Sequence, residues 1–512
     1  LYCQKHHTHV PCELFSYKHN PPIHQSILQQ QNPSSPQSNP TKKMSASSRP
    51  VGGTEHSWCK AVPTGTGITI ISFLFSTPPN LSLLQSSLNK LQTSHPILRS
   101  KLIFDPSTNQ FSLHTPSNPT TVKIHTTDLF LHSFVQTIEQ ELNTNSWTSF
   151  IQPHHHHDKV TEADVMFVTC YTLLDNNNNN DNDNNMLKQS QGSVVMVIRV
   201  HTAVCDRAAA AWLVKELLGL YCEGGGEGVG MEGLGLGLAI EEHVPVGKGN
   251  KPFWVRGKDV IGYSVNSFRF SNLVVKEVGV PDSTRFVRLK IGAEETGRIV
   301  DGCKSKGIKL FGLLAAAGFI AAHASKNFPG EKWEKYSLAT LIDCRSELDP
   351  VLSDHHIGFY HSVIINSHDV KGGEDLWDLA QRIYTTLTNA KNNNKHFTDT
   401  ADLNYLMCKA IENPGLTPSS SLRTSLLSVF EDPLIENSNH LHKQVGLLDC
   451  IGCSSVHSVG PSLAIFDTIR DGELDCACVY PSPTHSREQM QDYVDHMKKI
   501  LLDGCAAEYL GS

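Results

Sequence analysis

The 512-residue sequence predicts an α/β fold with room for more than one domain, on three observations. β-rich runs alternate with segments whose apolar residues recur at helical spacing, from about residue 58 to residue 502. The length suggests two or three domains. The composition is that of an ordinary globular chain, 39% hydrophobic and 18% charged. A net charge of -8 without a concentrated basic stretch argues against a nucleic-acid surface. No apolar run reaches the roughly 20 residues that span a bilayer; the nearest, Leu310–Ala322, ends at His323 and reads as a buried helix. Fourteen cysteines without a signal-peptide pattern ahead of them read as reduced thiols of a cytoplasmic protein. Neither Cys450-Ile-Gly-Cys453 nor the Cys476/Cys478 pair has a second ligand pair at metal spacing, so no metal is expected there.

Residues 1–54 hold one acid, Glu13, among many Ser, Pro, Gln, Asn and His, and read as disordered; Met44 is an alternative start. Ile68–Phe75 is a strand pattern. Asn80 caps a helix with Leu81, Leu84, Leu88 and Leu91 on one face, which Pro96 ends. Ser94-His95-Pro96-Ile97-Leu98-Arg99 leads into the strand pattern Ser100–Phe104. His154–His157 reads as a loop rather than a metal site, because four adjacent residues do not face one ion. The Asn/Asp tract 175–185 separates the apolar runs Val165–Leu174 and Val194–Val200 as a long loop. The latter run leads into His201-Thr202-Ala203-Val204-Cys205-Asp206-Arg207 and a helix pattern to Tyr221. Gly-rich 224–237 lacks the Lys-Ser/Thr ending of a phosphate loop and reads as a surface insertion. Further strands fall at Phe286–Ile291 and Tyr336–Ile342, the latter ending in Asp343-Cys344-Arg345. Helices fall at Glu294–Lys306, Gly307–His323 and Asp375–Ala390. Gly358-Phe359-Tyr360-His361 precedes apolar Val363–Ile365. Asp471-Gly472 signals a type I′ hairpin between Ser462–Ile469 and Glu473–Tyr480. Ser486 with Gln489 opens the last helix.

These motifs resemble the CoA-dependent acyltransferase superfamily, which includes condensation domains, BAHD acyltransferases and alcohol acyltransferases. The signature is two histidines, three free positions, Asp and Gly. Here His201 is the first histidine and Asp206 the aspartate, while Thr202 and Arg207 occupy the second histidine and the glycine. His95-Pro96, Glu216-Leu217 after the Asp, and the Arg345 and Gly358-aromatic sequences fall in the superfamily's order. No Asp-Phe-Gly-Trp-Gly segment occurs, so the BAHD branch fits less well. The resemblance covers about Ile68 to Leu502. It implies two chloramphenicol-acetyltransferase-like halves, each a mixed sheet with flanking helices, meeting at a cleft or tunnel. The expected divisions are a first half at 55–255, a crossover linker at 256–283 and a second half at 284–512.

The resemblance also implies the chemistry. An acyl thioester, with acyl-CoA the co-substrate and no bound cofactor, meets an alcohol or amine acceptor in a monomeric protein. A neutral histidine removes the acceptor's proton. The aspartate holds the fold through a salt bridge to an arginine of the second half, here Arg345. Thr202 stands where that base is expected, which also admits a non-catalytic relative that binds an acyl ligand or a protein. Three readings of the base remain: His201 as a buried structural histidine, His201 as the base through a local backbone shift, and a base from elsewhere, with His361 the candidate. A one-residue offset in a strand turns a side chain to the opposite face, which argues against His201 unless the strand is bulged.

Overall fold

Ser47–Pro50 form a strand, although their composition suggests disorder. The computed structural model describes residues 47–117, 122–131, 133–150, 160–173, 193–224, 235–326, 332–417, 421–437 and 439–511. The His154–His157 run, the Asn/Asp tract, most of the glycine-rich stretch and residues 1–46 lie outside them.

The strands are β1 (Ser47–Pro50), β2 (Thr66–Phe75), β3 (Lys101–Asp105), β4 (Gln110–Thr115), β5 (Ile124–Leu131), β6 (Thr161–Asp164), β7 (Met166–Leu173), β8 (Val194–His201) and β9 (Ser283–Ile291). They continue with β10 (Glu334–Asp343), β11 (His361–Val370), β12 (Arg423–Phe430), β13 (Leu434–Glu436), β14 (Leu447–Val456), β15 (Gly460–Arg470) and β16 (Glu473–Ser482). The helices are α1 (Gly53–Ala61), α2 (Leu81–Ser94), α3 (Phe134–Asn143), α4 (Arg207–Cys222), α5 (Ile240–His243), α6 (Phe253–Ser267) and α7 (Ala293–Ser305). They end with α8 (Leu310–Ala324), α9 (Leu376–Asn392), α10 (Lys395–Thr398), α11 (Thr400–Glu412), α12 (Asn439–Val445) and α13 (Arg487–Gly511).

Among the described residues a mixed five-stranded sheet runs β14-β2-β8-β7-β5 and a mixed seven-stranded sheet β11-β10-β12-β15-β16-β9, with β13 beside β15. A small sheet, β1-β4-β3-β6, flanks the first half. The fold is thus the mixed α/β architecture expected. Local signals explain its elements. Asn80 Oδ1 accepts from the Leu83 amide at 3.1 Å to cap α2, and Asp375 Oδ1 accepts from Trp377 and Asp378 at 2.9 Å to cap α9. Asp471 and Gly472 take φ of 50° and 85°, which turn β15 into β16. Helix α8 is apolar on nearly every side and lies buried in the core of the second half.

Three boundaries differ from expectation. First, residues 47–54 are ordered: β1 pairs antiparallel with β4, and Arg49 meets Glu55 at 2.7 Å through both guanidinium nitrogens. Second, the crossover linker contains most of α6, a 15-residue helix. Third, the second half is not self-contained. Its strand β14 leaves for the other sheet and pairs antiparallel with β2. The Cys450 and Cys453 thiols on β14 pack into different core clusters, on opposite faces.

Candidate functional site

Strand β8 delivers the histidine–aspartate motif to the site. Its pairing with β2 stays in register from Phe75↔Val194 to Ile68↔His201, without a bulge. Thr202 opens a short 3-10 turn, so strand alternation ends at its predecessor, His201. His201 is fully buried, its ring 5.2 Å from Trp147 in edge-on contact. Its Nδ1 accepts from the Ala203 amide at 3.2 Å, so that nitrogen carries no proton. Burial lowers its pKa to about 3, and the ring is neutral at physiological pH. His201 is not among the residues lining the cavity described below.

Thr202 does line that cavity. Its hydroxyl donates to the Gly67 carbonyl at 2.6 Å and lies 2.6 Å from Thr69 Oγ1. Thr69 Oγ1 in turn is 2.8 Å from Ser454 Oγ. One consistent direction runs from Ser454 through Thr69 and Thr202 to the carbonyl, across β14, β2 and the end of β8. The proton of Thr202 is thus spent within the wall. Gly67 is required there: at φ 90° a Cβ would stand 2.9 Å from the Trp58 ring.

Asp206 caps α4 and is buried. Its Oδ1 accepts from Ala209 N at 2.8 Å and from Arg345 Nη2 at 3.0 Å. Its Oδ2 accepts from the Tyr360 amide at 2.8 Å, and Arg345 Nη1 lies 2.9 Å from that oxygen. The Asp206 amide donates to the Gly358 carbonyl at 3.0 Å, so the Gly358–His361 turn wraps the carboxylate. His361 Nδ1 sits 3.0 Å from Asp206 Oδ2, though off the axis of a well-aligned hydrogen bond. Burial alone would raise the Asp206 carboxyl; the Arg345 charge, with the His361 ring beside it, holds it well below the usual carboxylate range.

A cavity of about 1110 Å³ lies between the two halves. Its wall is mainly apolar and takes Trp58, Thr69 and Thr202 from the first half and His361, Val363, Ile365 and Phe430 from the second. The volume lies slightly above the usual range of small-molecule sites, roughly 300–1,000 Å³. Of the expected site residues, Asp206 and His361 line it and His201 does not; Arg345 stands behind Asp206. Cys205 also lines it, but burial pushes its thiol far up, away from thiolate chemistry.

Two contacts made by motif residues were not legible in the sequence. Arg207, at the glycine position of the motif, spans the halves. Its Nη2 lies 3.0 Å from Asp467 Oδ1, and its guanidinium stacks 4.1 Å from the centre of the Phe430 ring. An arginine in a motif otherwise ending in glycine was the available signal. His95 Nε2 lies 2.7 Å from Glu216 Oε2. Two motif residues 121 positions apart thus form one support under α4.

The family model described as alcohol acetyltransferase matches residues 267–413. TRI3 trichothecene 15-O-acetyltransferase from Fusarium sporotrichioides is 11% identical, with a TM-score of 0.64, over 90% of this chain and 95% of its own. The epimerization domain from the third module of tyrocidine synthetase B is 12% identical, with a TM-score of 0.57, over 92% and 99%. The condensation domain from Monacolin K polyketide synthase MokA is 9% identical, with a TM-score of 0.54, over 90% and 98%. The chain has the fold of the CoA-dependent acyltransferase superfamily. At these identities the likeness to solved structures concerns the fold. No curated protein matches the sequence. Thr202, which the resemblance sets at the position of the second motif histidine, lines the cavity.

Proposed function

We propose that this protein transfers an acyl group from a CoA or carrier thioester to an alcohol or amine, with His361 as the general base. The observation that carries the reading is the place of His361: it lines the cavity, with Nδ1 3.0 Å from Asp206 Oδ2. A carboxylate beside Nδ1 favours the tautomer protonated there and leaves the Nε2 lone pair to accept a proton. The acceptor's O–H or N–H loses its proton to Nε2 as the oxygen or nitrogen attacks the thioester carbonyl. The tetrahedral intermediate collapses, the C–S bond breaks, and the imidazolium returns the proton to the departing sulfur. Asp206 orients the ring and, ion-paired to Arg345, keeps its charge throughout. The alcohol acetyltransferase match over 267–413 and the O-acetyltransferase neighbour favour an alcohol acceptor. The mainly apolar wall favours apolar substrates.

The second reading is a non-catalytic relative that binds an acyl ligand or partner. It is favoured by Thr202, which stands at the base position with its hydroxyl committed to Gly67.

The test is thiol release from a panel of acyl-CoAs with alcohol and amine acceptors, together with product mass. Wild type should turn over. His361→Ala should lose about 10²- to 10⁴-fold in kcat, the range of general-base assistance, while folded His201→Ala keeps its rate. Equal rates for His361→Ala and wild type would remove His361 from the chemistry. A melting shift with acyl-CoA but no turnover would support the binding reading.

A further inference from the structure

Helix α6, which joins the halves, has an apolar face that no described part of the chain covers. Trp254, Ile261, Val265 and Phe268 are 66%, 64%, 47% and 62% exposed, and Phe253 beside them 80%. With Lys258 they follow one another at steps of four, three, four and three residues, a single stripe along the helix. The opposite side is anchored. Lys251 Nζ, just before the helix, lies 2.6 Å from Asp259, 2.8 Å from Asp399 and 2.8 Å from Asp402. The Tyr263 hydroxyl donates to Asp399 at 2.7 Å. Those bonds tie α6 to α11, so the stripe is not a loose segment awaiting its place in the core.

Two further observations indicate what covers the stripe. The first is charge. Asp259, the helix's one carboxylate, is engaged by Lys251, whereas Lys258 and Arg269 are exposed at the stripe's edge. Aromatic and aliphatic side chains on one face with basic residues beside them are the pattern of a helix lying in a bilayer interface. The second is position. Val260, Tyr263 and Ser264 on the inner face line the large apolar cavity, and Phe268 both lines it and is exposed. The stripe therefore reaches the rim of the cavity.

We propose that α6 docks the protein on a lipid bilayer carrying anionic headgroups, with the stripe in the interface and the rim of the cavity facing the membrane. No single described helix is long and apolar enough to cross a membrane; the contact proposed is one along the face of α6. An apolar substrate dissolved in the bilayer then reaches the cavity past Phe268 without crossing water. The docking surface does not depend on which histidine works in the cavity.

The full chain is sedimented with vesicles of phosphatidylcholine and of an equal mixture of phosphatidylcholine and phosphatidylserine. Wild type should pellet with the mixed vesicles, less so as salt is raised. Trp254→Ser/Ile261→Ser/Val265→Ser should lose at least about tenfold in partitioning, since membrane affinity scales with buried apolar area. Lys258→Glu/Arg269→Glu should lose the preference for phosphatidylserine. As a check that needs no destabilising change, brominated phosphatidylcholine in the mixed vesicles should quench wild-type tryptophan fluorescence, and less so for Trp254→Phe. Wild type that stays in the supernatant with both vesicles overturns the proposal. So does equal quenching in wild type and Trp254→Phe, or a wild-type dimer that the triple variant converts to monomer, which would make the stripe a self-interface.

Discussion

Asp206 carries more of the site than any other residue. One carboxylate caps α4, holds the turn before β11, accepts from Arg345 and flanks His361. Removing one partner of a buried ion pair strands the other in a low-dielectric interior. Asp206→Ala should therefore cost about 3–5 kcal/mol of stability, measured by urea unfolding. The sign of its pH dependence follows from a folded-state pKa below the unfolded value. The stabilisation is complete above about pH 4 and is lost as pH falls further, through the depressed value. His201 has a different part. With its ring against Trp147 and Nδ1 spent on Ala203, His201→Ala should lower the melting temperature and leave the turnover of the folded fraction unchanged.

Two connections between elements hold the halves around the cavity. One is β14, which runs antiparallel to β2 although its neighbours in sequence build the other sheet. Arg288 on β9 meets Asp449 on β14 at 2.9 Å, and Arg470 on β15 reaches the same carboxylate at 3.3 Å. The other is Arg207, which joins the start of α4 to β15 and to Phe430 at the end of β12. Asp467 is its buried carboxylate partner, and burial raises that carboxyl above its ordinary value even with Arg207 present. In Arg207→Ala the carboxyl keeps burial and loses its cation, so its folded pKa rises further. A raised folded pKa gives stability that is present below the unfolded value and lost as pH rises. The variant should thus lose more stability relative to wild type at pH 8 than at pH 5, in paired denaturation curves.

At the scale of the molecule, several histidines are buried without charge. Burial lowers His201 to about 3 and His368, His457 and His485 to about 4. Each is protonated in the unfolded chain below about pH 6.5 and stays neutral in the folded one. The unfolded state then binds more protons, so stability falls as pH falls, by about 1.4 kcal/mol per pH unit for each group. The urea midpoint should drop steeply between pH 6.5 and pH 4. A flat midpoint over that window would show that these rings are hydrated or paired.

Much of this was legible in the sequence because it is local. The helix cap at Asn80, the Asp471-Gly472 turn, the apolar helix at 310–324 and the His201…Asp206 motif each rest on a few neighbouring residues. Strand alternation, also local, reaches as far as His201; Thr202 already belongs to the 3-10 turn that follows β8. Composition misled at residues 47–54, because a short strand and a helix start there are stabilised by distant partners: β4 beneath Ser47–Pro50, and Glu241, whose Oε1 accepts from Thr54 at 2.6 Å. The crossing of β14 could not be read, since its apolar pattern suits either sheet and pairing is decided by which edge is open. Nor could the sequence set His361 beside Asp206 at 3.0 Å, 155 positions away. The sequence by itself determined which residue types were available and which strand face each would take. Only the tertiary structure decided which histidine shares the cavity with the aspartate, because that contact exists once the turn at 358–361 has closed around the carboxylate.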